Sequence, residues 1–169
     1  DACVAAANSL MALSRERIAD ELLKLLVVRD PVPALRLMVD GGIWLPVLPE
    51  ITHEGIDRLA KLSARENEAS MAPSALRRLA ALVPTDAALA DQIGARLKLS
   101  NKARKRLITA LETASAPEGP RALAHRVGVE GAIDRILLDP AASLSALALL
   151  DGWTPPSLPI GGGALIARG

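Results

Sequence analysis

Phe and Tyr are absent from this chain of 169 residues, and Trp44 and Trp153 are its only aromatics. The core must therefore rest on Leu, Ala, Ile, Val and Met. That mixture has high helix propensity and argues against a β-sandwich, which leans on β-branched and aromatic residues. The same shortage leaves almost nothing for stacking single-stranded bases on aromatic rings. Cys3 is the only cysteine, so no internal disulfide can form, as suits a reducing cytoplasm. It has no neighbouring His to suggest a nucleophile and reads as a packing residue. His53 and His125 stand alone, without partners at metal-ligand spacing, and read as surface or capping residues. No apolar run approaches the ~18 residues that span a bilayer. The apolar residues 2–13 lack the basic start of a signal peptide. No Asp-x-Asp pair occurs, and Gly161-Gly162-Gly163 lacks the Gly-Lys-Ser/Thr ending of a phosphate loop. No catalytic residue and no metal ligand is expected in this chain.

Half of the residues are hydrophobic, enough for a packed globule of one domain or two small ones. The net charge of +1 does not announce a nucleic-acid binder, but its distribution is uneven. Residues 1–95 hold 10 basic and 13 acidic side chains, residues 96–126 hold 8 and 2, and residues 127–169 hold 2 and 4. The positive charge is local to one stretch.

The periodicity predicts an irregular array of short helices. Residues 2–13 read as a helix. Ser14 is placed to cap the next one, where Ile18, Leu22, Leu25 and Leu26 share a face. Asp20 and Lys24 are spaced to pair along it. Asp30-Pro31 ends it. A short helix holds Ala34, Leu35, Leu37 and Met38, and Gly41-Gly42 supplies its left-handed stop. Pro46 and Pro49 keep residues 45–48 extended or in an irregular turn. Helix signals return at 53–64, and residues 65–72 read as an exposed connector. Further helices are expected at 74–83, 87–98 (capped by Asp86), 101–113 (capped by Ser100), 120–127, 130–138 and 143–150, with a loop at 115–120. Pro155, Pro156 and Pro159 mark an extended tail. The opening at Asp1 and the glycine-rich end suggest a piece of a longer chain.

Residues 14–50 carry a resemblance. Ser14, Glu16, Arg17, Ile18, Glu21 and Leu22, then Ala34-Leu35-Arg36-Leu37-Met38, Gly41 and Leu48-Pro49-Glu50, resemble the bacterial CCA-adding tRNA nucleotidyltransferases, a class that includes poly(A) polymerases. The later RLAALVP and ARLKLSNKARKRL look like the body region of that family. The tail at 159–166 resembles a passage ending in Asp-Leu, although Ala164 stands where the Asp would be. The resemblance implies an all-α fold like the C-terminal region of those enzymes. Residues 1–64 would be the end of the neck and the start of the body, 65–154 a tRNA-docking body and 155–169 the start of a tail. The implied function is to hold the tRNA acceptor arm while a catalytic head, N-terminal in the full chain and absent here, adds CMP and AMP using Mg2+ with CTP and ATP. The piece alone would be inactive, cytoplasmic and free of membrane. The body of a poly(A) polymerase, or a helical protein–protein module without an RNA role, stays open beside this reading.

Two groups of residues carry these expectations. Arg96, Lys98, Lys102, Arg104, Lys105 and Arg106 place six cations and no anion in eleven residues. On a helix from 101, Lys102, Lys105 and Arg106 share a face, which suits the phosphate backbone of a duplex stem; a plain solvated basic face is the alternative. Glu16, Arg17 and Glu21 form the polar side of the first matched helix. Arg17 and Glu21 are spaced to pair, and the resemblance implies that the three brace the neck. An ordinary surface salt bridge is the alternative.

Overall fold

The computed structural model describes residues 13–112 and 119–156, and no strand occurs among them. The expected helix at 2–13 apart from Leu13, Cys3, and the resemblance and glycine turn at 159–166 lie outside the described residues. The architecture is all-α and irregular. Among the described residues eight α-helices run in chain order: α1 Arg15–Leu26, α2 Val32–Asp40, α3 His53–Glu68, α4 Ala75–Leu82, α5 Ala87–Arg96, α6 Asn101–Leu111, α7 Pro120–Val127 and α8 Val129–Leu138. A 3-10 helix, Leu144–Leu149, follows.

The caps explain most of the boundaries. The Ser14, Thr52, Asp86 and Ser100 side chains accept backbone N–H groups in the first turns of α1, α3, α5 and α6, which satisfies donors that the helices leave unpaired. Gly42 takes a φ of +63° after α2, the left-handed turn that glycine adopts cheaply. Residues 41–47 then form consecutive turns, and Trp44, Val47 and Leu48 are buried from them.

The short helix α4 is the hub. It packs against α1, α3, α6 and α8, and all six of its residues from Arg77 to Leu82 are buried. Its close seat against α3 depends on Gly55, where a Cβ would lie 2.0 Å from the Leu82 carbonyl oxygen. The main core joins Leu22 and Leu26 of α1, Leu59 and Leu62 of α3, Leu79 and Leu82 of α4, and Leu107 of α6. A smaller cluster under α7 and α8 holds Ala124, Ala132, Ile136 and Leu150.

The expected exposed connector does not begin at residue 65. Residues 65–68 continue α3, and Glu66 is 1 % exposed. Its Oε1 accepts from Arg77 Nε at 2.7 Å and its Oε2 from Arg78 Nε at 2.8 Å. A carboxylate that meets two buried guanidiniums belongs to the core, so α3 runs on to reach them. Arg77 also donates to Asp134 Oδ1 on α8, so α3, α4 and α8 are joined by ions inside the apolar core.

Arginines also close helix C-termini, where carbonyls lack partners. Arg78 Nη1 donates to the Leu26 and Val28 carbonyls after α1. Arg58 donates to those of Ala81 and Val83 at the end of α4. Arg65 donates to those of Ile136, Leu137 and Ala142 around the end of α8. Positive charge there also suits the helix dipole.

Candidate nucleic-acid interface

The six cations of the basic stretch end up in different places. Ser100 opens α6, and Leu107, Ala110 and Leu111 turn one face of it into the core. Lys102 and Lys105 project from the opposite side and are exposed, with no carboxylate in salt-bridge range among the described residues. The other four are engaged. Arg104 lies across Gly94 and forks onto Asp91 of α5, its Nη2 2.7 Å from Oδ2. The Arg104 guanidinium holds the Asp91 carboxyl below the usual carboxylate range, and Asp91 in turn raises Arg104.

Arg106 does not join the lysines. Its Nε donates to Asp134 Oδ2 at 2.7 Å, and its Nη2 to Asp134 Oδ1 and to Ser74 Oγ; Nη1 reaches Glu130. Asp134 is completely buried, and a buried carboxylate is tolerable only when paired. That need draws Arg106 inward, and hydrogen bonding to Asp134 raises its pKa above the usual arginine value.

Arg96 and Lys98 tie the basic stretch to the first fifty residues. Arg96 Nη1 donates to Glu50 at 2.9 Å and to the Val47 carbonyl. Lys98 Nζ donates to Glu16 Oε1 at 2.8 Å. Lys98 also sits at a φ of +52°, an uncommon left-handed position for a lysine. The Lys98 ammonium lowers the Glu16 pKa below the usual carboxylate range.

The polar side of α1 is wired differently from its spacing. Glu21 accepts from Lys24 Nζ at 2.8 Å, three residues away, in place of the expected Arg17 pair, while Asp20 acts on Lys24 through its charge. Glu16 is committed to Lys98, across the chain. Arg17 is exposed. His53 meets Asp40 at 3.0 Å on the surface. Among the described residues no three His, Cys, Asp or Glu side chains come together as a group that could hold a metal ion. No helix of the described residues is long and apolar enough to cross a membrane.

Pattern reading missed Glu66, Arg77, Arg78 and Asp134, of which Asp134 sets where Arg106 points. The local signal for them was weak: a charged pair on a helix reads as solvated unless its distant partners are known.

The curated proteins and the solved structures hold no match to this chain. Residues 1–54 match the family model described as "Probable RNA and SrmB- binding site of polymerase A". That segment contains α1, α2 and the turns after them, and it includes Glu16 and Glu50, the partners of Lys98 and Arg96. The chain is thus an all-helical module whose first 54 residues are similar to a poly(A) polymerase RNA-binding region, with the basic stretch fastened to that segment.

Proposed function

We propose that this chain is the helical body of a CCA-adding tRNA nucleotidyltransferase, and that it docks the acceptor arm of tRNA through phosphate contacts. Lys102 and Lys105 make the principal contacts. Lys98 and Arg96, paired with Glu16 and Glu50, fasten the stretch to the first fifty residues, while Arg104 and Arg106 shape α6 from behind. The observation that supports this most is that the basic stretch is fastened to the segment that matches the RNA-binding family model, through Lys98 on Glu16 and Arg96 on Glu50. Glu16 braces that segment against the basic stretch through Lys98, with Arg17 and Glu21 on the same helix.

Nucleotide addition belongs to a head domain outside this sequence, together with Mg2+ and CTP or ATP, and the body alone incorporates neither nucleotide. The neck-to-body division near residue 64 falls within α3, so the two parts share one helix. The cytoplasm is the proposed setting.

A protein contact is the second reading. The matching family is described as a binding site for SrmB as well as RNA, and Leu37 and Leu45 of the matched segment are 74 % and 68 % exposed. The body of a poly(A) polymerase is the nearest variant of the first.

The test is binding to a tRNA without its CCA end across a salt series, beside an unstructured RNA. The docking reading expects preference for tRNA and an affinity that falls as salt rises. Salt-insensitive or absent binding to both RNAs contradicts it.

A further inference from the structure

We propose that the hollow between α3, α6 and α8 receives an unpaired nucleotide of an RNA strand. The hollow encloses about 810 Å³, within the range of pockets that bury a small organic ligand. Its floor is aliphatic, with Leu62, Ala80, Leu111 and Ile136. Its rim carries five cations, Arg58, Lys61, Arg65, Arg126 and Arg135, against the two carboxylates Glu112 and Asp139. None of these cations belongs to the basic stretch at 96–106. The inference rests on the RNA-binding reading and adds a second site to it, with a different specificity.

Three of the cations form a row. Arg58, Lys61 and Arg65 recur at i, i+3 and i+7, hence on one face of α3, spread over roughly 10 Å of helix axis. The outer two are held in place. Arg58 spends Nε and Nη2 on the Ala81 and Val83 carbonyls; Arg65 spends the same atoms on Leu137, Ile136 and Ala142. These carbonyls cancel no formal charge, so each guanidinium stays a full cation. Being fixed already, it loses little further freedom when an anion arrives. Lys61 lies exposed between them, with no carboxylate in salt-bridge range among the described residues.

A row of fixed cations beside an apolar hollow matches a ligand with repeated negative charge and a flat, weakly polar part. An RNA strand offers both: phosphates for the row, and a base for the hollow. Guanidinium planes serve as stacking surfaces for splayed-out bases, which supplies what the missing aromatics do not. A continuous duplex keeps its bases paired and cannot lower one into the hollow. An acidic peptide would satisfy the charge but has no use for the guanidinium planes.

The experiment uses the whole chain, the double variant Lys61→Glu/Arg135→Glu and the double variant Lys102→Glu/Lys105→Glu, each checked for an unchanged melting temperature. Three ligands are titrated: a short single-stranded RNA, a blunt RNA duplex and a poly-glutamate peptide. Single-stranded RNA carrying 4-thiouridine is also crosslinked and the attached peptide identified. The proposal expects the Lys61/Arg135 variant to lose about tenfold or more in single-strand affinity, to keep its duplex affinity, and to lose a crosslink on α3 or α8. Equal single-strand binding by wild type and that variant overturns the pocket while leaving the RNA reading intact. Peptide binding that is stronger than RNA binding and lost in the Lys61/Arg135 variant overturns it in favour of a protein ligand. Absence of all RNA binding by the wild type overturns both readings together.

Discussion

The buried arginines of α4 and the exposed lysines of α6 both belong to short stretches rich in positive charge, yet they do opposite things. Arg77 and Arg78 are 3 % exposed and meet Glu66, Asp134 and backbone carbonyls. They hold α1, α3, α4 and α8 together. Lys102 and Lys105 contact no carboxylate among the described residues and face water. Arg106, one residue beyond Lys105, belongs with the buried set because Asp134 claims it. Charge density along a chain is therefore not charge density on its surface; the carboxylates brought in from distant helices decide which cations remain for a ligand.

The largest expected effect breaks the buried side. Glu66→Ala leaves Arg77 and Arg78 without their shared carboxylate in the core, and removal of one partner from a buried pair costs about 3–5 kcal/mol. Urea denaturation measures it. A loss below about 1 kcal/mol, the scale of an exposed pair, would place this network with the surface bridges and erase the contrast.

A smaller effect is expected where an arginine is paired but exposed. Arg104→Ala removes the fork onto Asp91 at the α5–α6 surface. Exposed pairs are screened by water and contribute little, so the melting temperature should move little. A drop as large as that of Glu66→Ala would mean that the Arg104 stem, lying over Gly94, is part of the core packing.

The smallest effect is a pH dependence. Glu16 and Asp91 have carboxyl pKa values lowered by hydrogen bonds from Lys98 and Arg104. A lowered folded-state pKa stabilises the fold above the unfolded value, near pH 4, and that contribution fades as pH falls through the lower folded value. Glu16→Gln and Asp91→Asn should therefore be slightly less stable than wild type at neutral pH and converge with it in acid. Melting curves from pH 2 to pH 7 show this as a narrowing gap; a gap that widens in acid contradicts the assignment.

Much of the fold was legible because its signals are local. Ser14, Asp86 and Ser100 cap the helices that their positions announce, and Gly42 supplies the turn after α2. The absence of Phe and Tyr pointed to helices packed through Leu and Ala, as found. What stayed hidden depends on distance along the chain. Residues 65–68 look like a solvated connector, yet Glu66 finds its partners 11 and 12 residues on, and Arg106 reaches Asp134 28 residues on. Spacing on one helix also misjudged Glu21, which takes Lys24 three residues away instead of Arg17. The basic stretch itself was plain to read; which of its six cations face outward was not, because that choice belongs to α5, α8 and the first fifty residues.

The most direct measurement compares two double variants that remove the same formal charge from α6: Lys102→Ala/Lys105→Ala and Arg104→Ala/Arg106→Ala. Each is assayed for tRNA affinity across a salt series and for unfolding free energy. The account predicts that the lysine pair weakens binding and flattens the salt slope by about 1.5 without loss of stability. The arginine pair should lose stability and, while folded, keep most of the salt slope. Equal losses of affinity from both variants, or a lysine variant that binds as wild type does, would contradict the claim that partner carboxylates select the RNA-facing charge.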